Sequence, residues 1–268
     1  MIFRVLATLV LAFGLRAFAA APLPWKLVWA DEFEGPKLDF TKWAVEENAH
    51  GGGNNELQVF VERPENTRVE EGKLVIEARK EAFTLAGQKR EFTSARLRTK
   101  FRADWKYCRV EVRAQLPTGR GIWPAIWMLP AQEKYGTWVA SGEIDIVELV
   151  GHEPHKVHGT LHFGGKWPKN VEAGKPFTLA KGTFADDFHV FALEWEPDAI
   201  RWYVDGELYQ TQTKWHSEGA PFPAPFDQPF YLLLNLSVGG NWPGPPDTQT
   251  VFPQRMLVDY VRVYQRTP

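Results

Sequence analysis

Short runs with alternating apolar and polar residues recur along this chain, and no stretch carries a long helical period with caps. They include "GKLVIEARK", "CRVEVRAQLP", "KVHGTLHF", "HVFALEWEP", "FYLLLNLSVGG" and "MLVDYVRVYQ". Clusters of Gly, Pro, Asn and Asp separate them, and Asp205-Gly206 is a two-residue hairpin signal. Period-two runs bury one face of a strand, and many short strands without intervening helices predict a β-sandwich. No linker divides the chain after the first residues, so residues 20–268 read as one domain.

Residues 1–19 read as a secretory signal peptide. Arg4 supplies the positive start, Val5 to Leu15 the apolar run, and Ala17-Phe18-Ala19 the small-residue cleavage site. The run is short for a bilayer and Arg16 ends it, so cleavage is expected rather than anchoring. The expected location is therefore secreted or periplasmic, with no membrane association after cleavage. Cys108 is the only cysteine among the 268 residues, which excludes an intrachain disulfide. Its place in an alternating strand predicts a buried structural thiol. A formal net charge of -2 gives no electrostatic basis for nucleic acid as a partner. The 12 Trp serve either a packed β core or stacking platforms for sugar rings, and composition does not choose between them.

The stretch "SGEIDIVELVG" is where chemistry enters. In a regular strand Glu143 and Asp145 would share a face with Val147 and Leu149, and Glu148 would point the other way beside Ile144 and Ile146. That places a carboxylate in the core, which is costly unless it is paired. One extra residue at about Ile146-Val147, a β-bulge, shifts the phase. Glu143, Asp145 and Glu148 then line one face, and Ile144, Ile146 and Leu149 the other. The outer two acids would lie roughly 13 Å apart at Cα, at ~3.3 Å per step. Side chains leaning together would bring the carboxyl groups to about 5 Å, the separation of a retaining glycosidase pair. Crowded like charges raise at least one pKa, so one acid can stay protonated and act as proton donor. A hard-cation site would also tolerate these acids.

Trp123 and Trp127 in "GIWPAIWML" are four apart and share a strand face, either stacking on sugar or packing the core. Trp138 stands in a predicted turn before Glu143, and Trp242 in the Gly/Pro loop "GGNWPG", so both are candidates for a cleft rim. Asn235 is in phase with Tyr231, Leu233 and Ser237. Asp259 in "LVDYVRV" shares a predicted face with Leu257, Val261 and Val263, where an acid needs a partner.

"GEIDIVE" resembles the signature of family sixteen of the glycoside hydrolases, E-[ILV]-D-x-x-E in its bulged branch. "WADEFEGPKLDFTKW", "GGGNNELQVF", "GIWPAIWMLP", "KVHGTLHFGGKW" and "NLSVGGNWPGPP" extend the resemblance to bacterial laminarinase-type members over nearly all of residues 20–268. Val139 departs from the Pro often found there. The resemblance implies a concanavalin-like jelly roll of two curved antiparallel sheets with an open cleft for a glucan. It implies endo-acting, retaining hydrolysis of β-1,3-glucan, with Glu143 as nucleophile, Glu148 as acid/base and Asp145 assisting the nucleophile. It further implies sugar-binding roles for Asn54 and Arg96, an exposed salt bridge being the other reading of Arg96. His162 resembles a cleft histidine near the acid/base, with His158 on the same face. A structural calcium away from the cleft is implied at Glu32, Gly72 and Asp259, against a plain salt bridge for Asp259. No cofactor is expected for catalysis, and a monomer is expected.

Three other functions stay open. A non-catalytic glucan-binding protein on this fold would typically lack one of the two glutamates, and both are present here. A transglycosylase would share every catalytic residue. Hydrolysis of mixed-linkage glucan or agarose is the third.

Overall fold

The computed structural model describes residues 24–266, so the expected signal peptide lies outside the described residues. Two sheets stack. The first contains β2 (Ala44–Val45), β7 (Arg96–Arg98), β9 (Ile122–Pro130), β10 (Glu143–Glu148), β11 (Lys156–Gly164), β12 (Asn170–Thr178) and β16 (Phe230–Val238). Its order is β12-β11-β10-β9-β16-β7-β2, antiparallel throughout. The second contains β8 (Arg109–Gln115), β13 (His189–Trp195), β14 (Ile200–Val204), β15 (Glu207–Gln212) and β17 (Gln254–Arg266). It continues through β5 (Lys73–Leu85), β6 (Gln88–Ser94) and β3 (Gln58–Phe60), with β1 (Trp25–Asp31) on β17 and β4 (Thr67–Glu70) on β5. Its order is β15-β14-β13-β8-β17-β5-β6-β3. This is the expected all-β jelly-roll sandwich; the pairing of β3 with β6 is parallel.

Alternation explains the core. On β9, Ile122, Ile126 and Met128 face inward while Trp123 and Trp127 face outward, half-buried. On β16, Phe230, Leu232, Leu234 and Leu236 pack inward, and Tyr231, Leu233, Asn235 and Ser237 lie on the other face. Val110, Val112, Phe191, Leu193, Val258 and Val261 meet them from the second sheet. Each such side chain contributes roughly 1.5–3 kcal/mol when fully buried. Cys108 is fully buried in this layer, and burial pushes its thiol pKa far up, so it is an inert packing group.

β17 corrects one expectation. Its register on β8 shifts between Val258 and Tyr260, so the buried set is Met256, Val258, Val261 and Val263. Asp259 therefore does not share the apolar row of Val261 and Val263; it is partly exposed and pairs with Arg113 at 2.8 Å.

Candidate active site

The expected bulge is present. Across β11, Asp145 opposes Thr160 and Glu148 opposes His158, so three steps on β10 match two on its neighbour. Across β9, Asp145 opposes Trp127, Val147 opposes Ile126 and Glu148 opposes Ala125. The extra residue thus falls at Ile146-Val147. Both enter the core together with Ile144 and Leu149, while Glu143, Asp145 and Glu148 line the outer face. The interrupted ladder is repaired from the opposite sheet: the Trp202 indole N–H donates to the Asp145 carbonyl at 2.8 Å. Gly159 makes room for that ring, since a Cβ there would lie 2.4 Å from Trp202 Cδ1.

Each glutamate carries an indole partner. Trp138 Nε1 donates to Glu143 Oε2 at 2.5 Å, and Trp123 Nε1 donates to Glu148 Oε1 at 3.1 Å. His162 Nε2 lies 3.1 Å from Asp145 Oδ2, off the angle of a hydrogen bond, and 3.9 Å from Glu143 Oε1. Burial and the neighbouring Asp145 charge push the Glu143 carboxyl up to about 8, with His162, Trp138 and Arg96 pulling the other way. Burial, then the Asp145 and Glu143 charges, hold Glu148 well above the carboxylate range. Asp145 is raised by burial and by Glu172 across β11. A strip this buried and this acidic retains protons at neutral pH, which supplies a proton donor. Glu143, Asp145 and His162 also offer ligand atoms within 4.8 Å of one another.

The strip forms part of a cleft of about 320 Å³. Asn54, Arg96, Trp123, Trp127 and Trp138 line it together with Glu143, Asp145 and Glu148. Trp242 stands at the rim, edge-on to Trp123 at 5.6 Å and to His158 at 5.0 Å. Its loop is tied to the loop of Asn54 by Asn55 Nδ2 donating to Asn241 Oδ1 and by the Asn241 N–H donating to the Asn54 carbonyl. Arg96 is buried rather than exposed; its guanidinium stacks on Phe60 and Trp127 and sits 3.7 Å from Glu46 and 3.9 Å from Glu56.

His162 departs from its expected place. It opposes Glu143 and contacts Asp145, whereas His158 is the histidine opposite Glu148. Glu56 on the cleft floor went unread in the sequence, and Ser237 was placed there only as a face-mate of Asn235. Trp127 Nε1 donates to Asn235 Oδ1 at 2.7 Å, Asn235 Nδ2 to Ser237 Oγ at 3.2 Å, and Ser237 Oγ to Glu56 Oε2 at 2.9 Å. The alternation Glu56, Gln58, Phe60 in "NNELQVF" was the available signal.

Glu32, Gly72 and Asp259 do not fit an open calcium cradle as arranged. Arg262 grips Glu32 with two 2.8 Å hydrogen bonds, and Arg113 takes Asp259. Gly72 lies in the tight turn between β4 and β5 at φ 70°. Both carboxylates already have cationic partners.

Asp145, buried, and the half-buried Glu143 and Glu148 share one strand in an indole-lined cleft, an arrangement that fits carbohydrate cleavage. The profile of "Glycosyl hydrolases family 16" matches residues 54–262. The chain belongs to this family of glycoside hydrolases. It is 46% identical over 252 residues to a "Beta-glucanase" of Rhodothermus marinus, covering 90% of this chain and 85% of that protein. It is 45% identical over 257 residues to "Glucan endo-1,3-beta-glucosidase A1" of Niallia circulans, covering 89% of this chain but only 38% of that longer protein. The solved laminarinase of Rhodothermus marinus superimposes with a TM-score of 0.83 at 45% identity, covering 92% of this chain and 99% of that one.

Proposed function

We propose that this protein is an endo-acting β-1,3-glucanase that cleaves laminarin-like chains with retention of configuration. The observation that carries the reading is the bulged strand that sets Glu143, Asp145 and Glu148 along an indole-lined cleft. Similarity to proteins named for β-1,3-glucan cleavage supports the choice of substrate. Glu143 attacks the anomeric carbon as its carboxylate while Glu148, whose carboxyl burial and the two neighbouring acids raise, gives its proton to the leaving oxygen. Water, deprotonated by Glu148, then hydrolyses the glycosyl-Glu143 ester. Asp145 and His162 flank Glu143, the first raising its carboxyl and the second lowering it. Trp123 and Trp127 offer faces for sugar stacking. Amino-terminal residues 1–19 support export to the periplasm or beyond. No helix among the described residues is long and apolar enough to cross a membrane.

Proton NMR of the first product from laminarin tests the mechanism. The β-anomer is expected first; an initial α-anomer would mean inversion and end the two-glutamate assignment. Laminarin, lichenan, agarose and xyloglucan compared side by side test the substrate.

Calcium at Glu32, Gly72 and Asp259 is a separate proposal, and the ion would have to displace Arg262 and Arg113 from the two acids. A bound ion would stabilise the fold by about 2.7 kcal/mol at a hundredfold excess over Kd, and so raise the melting temperature in millimolar calcium over chelator. Equal melting in both would show that the guanidinium partners are sufficient.

A further inference from the structure

We infer that Glu56 is a further substrate-binding residue, whose free carboxylate oxygen accepts a hydroxyl of a sugar ring lying beyond the one that is cleaved. The inference rests on reading the cleft as a polysaccharide site. Glu56 is 4% exposed and lines the cleft floor beside Arg96. Its Oε2 is occupied, accepting from Ser237 Oγ at 2.9 Å and from Gln58 Nε2 at 2.7 Å. Its Oε1 has no hydrogen-bond partner among the described residues and is not sealed from the cleft. A carboxylate oxygen that faces the cleft without a protein partner can accept from a sugar hydroxyl.

The surroundings hold that oxygen in place. Glu56 is fixed to the end of β16 by a bridge to Gly239, and Gln58 is fixed there by the Val238 N–H donating to its Oε1. Gly52 lies against Oε1: a Cβ there would fall 2.1 Å from it, and the backbone stands at φ 59°. The loop therefore leaves space where any side chain would displace this carboxylate. Arg96 lies alongside with its donors, so the pair presents an acceptor and a cationic donor, a combination suited to adjacent hydroxyls. Glu56 meets Ser237 on β16, two strands from β10 in the order β10-β9-β16, so it is ~10 Å away at ~4.8 Å per strand. That distance puts the contact beyond the ring under attack.

Chain length separates a sugar contact from a structural role. Glu56→Gln and Glu56→Asp are compared with the wild type on oligosaccharides of increasing length, made from whichever polysaccharide of the panel the wild type cuts. A wild type that spares laminarin but cuts another member of the panel sinks the β-1,3-glucan reading and leaves this comparison intact. The expected kcat/KM ratio of wild type to variant is near one for the shortest cleaved oligosaccharide. It should rise to about tenfold or more for longer chains, through KM rather than kcat. Glu56→Asp keeps the charge beside Arg96 but withdraws the oxygen, and should show the same pattern. Equal loss at every length with a lowered melting temperature, or no loss at any length, would overturn the inference.

Discussion

Glu148→Ala should lose about 10²–10⁴-fold in hydrolysis of laminarin, yet still form the glycosyl-enzyme from an aryl β-glycoside of a laminari-oligosaccharide. The aryl leaving group needs little protonation, so the first step survives without the acid. The second step then stalls for want of a base, and the ester on Glu143 accumulates. Azide needs no base; added to Glu148→Ala it should restore turnover and yield the β-glycosyl azide. Glu143→Ala has no covalent route, and azide entering its vacated space should give the α-azide by direct displacement. The assigned anomer from each variant is the measurement. The β-azide from Glu143→Ala with the α-azide from Glu148→Ala would exchange the two roles. The geometry gives the present assignment its basis: Glu143 is the glutamate with His162 at 3.9 Å, itself 3.1 Å from Asp145, and Glu148 takes its hydrogen bond from Trp123.

The strip could be read in the sequence because its spacing breaks a rule. Strict alternation would bury Glu148 and expose Val147 and Leu149, and a single extra residue resolves both faults. The same test, applied to "MLVDYVRV", would have found the second bulge, since buried Val258 and Val261 are three apart. Reading regular alternation there gave Asp259 an apolar row that it does not occupy. His162 was misplaced for another reason. Which glutamate a histidine opposes depends on the register between β10 and β11, and the intervening turn carries no marker of it. Glu56 was harder still, because its partner Ser237 is 181 residues away and only the fold brings them together. Trp123 and Trp127 show the opposite case: period-two spacing put them on one face, and the sheet then assigned that face to the cleft.

The strip should also weaken the fold that carries it. The Glu143 carboxyl is raised from 4.5 to about 8, chiefly by burial and then by Asp145. Between those two values the folded protein binds more protons than the unfolded chain, so stability falls as pH rises through that window. Below pH 4.5 both states are protonated and the penalty vanishes; above about 8 it is complete. Glu143→Gln keeps the shape, retains an acceptor for the Trp138 indole and cannot ionise. It should therefore melt higher than the wild type at pH 8.5, by at least several degrees given ~1.4 kcal/mol per pKa unit and roughly 2–4 °C per kcal/mol. The difference should shrink steadily toward pH 4.5. Glu148→Gln should behave in the same direction, because burial and the two neighbouring acids raise that carboxyl as well. Glu143→Gln also removes one of the charges that raise Glu148, so the double variant should gain less than the sum of the two singles. Melting curves of wild type, both singles and the double from pH 4.5 to 8.5 provide the measurement. A wild type as stable as Glu143→Gln across the whole range would show that the cleft ionises Glu143 without strain. Its proton would then have to be sought on Glu148 alone.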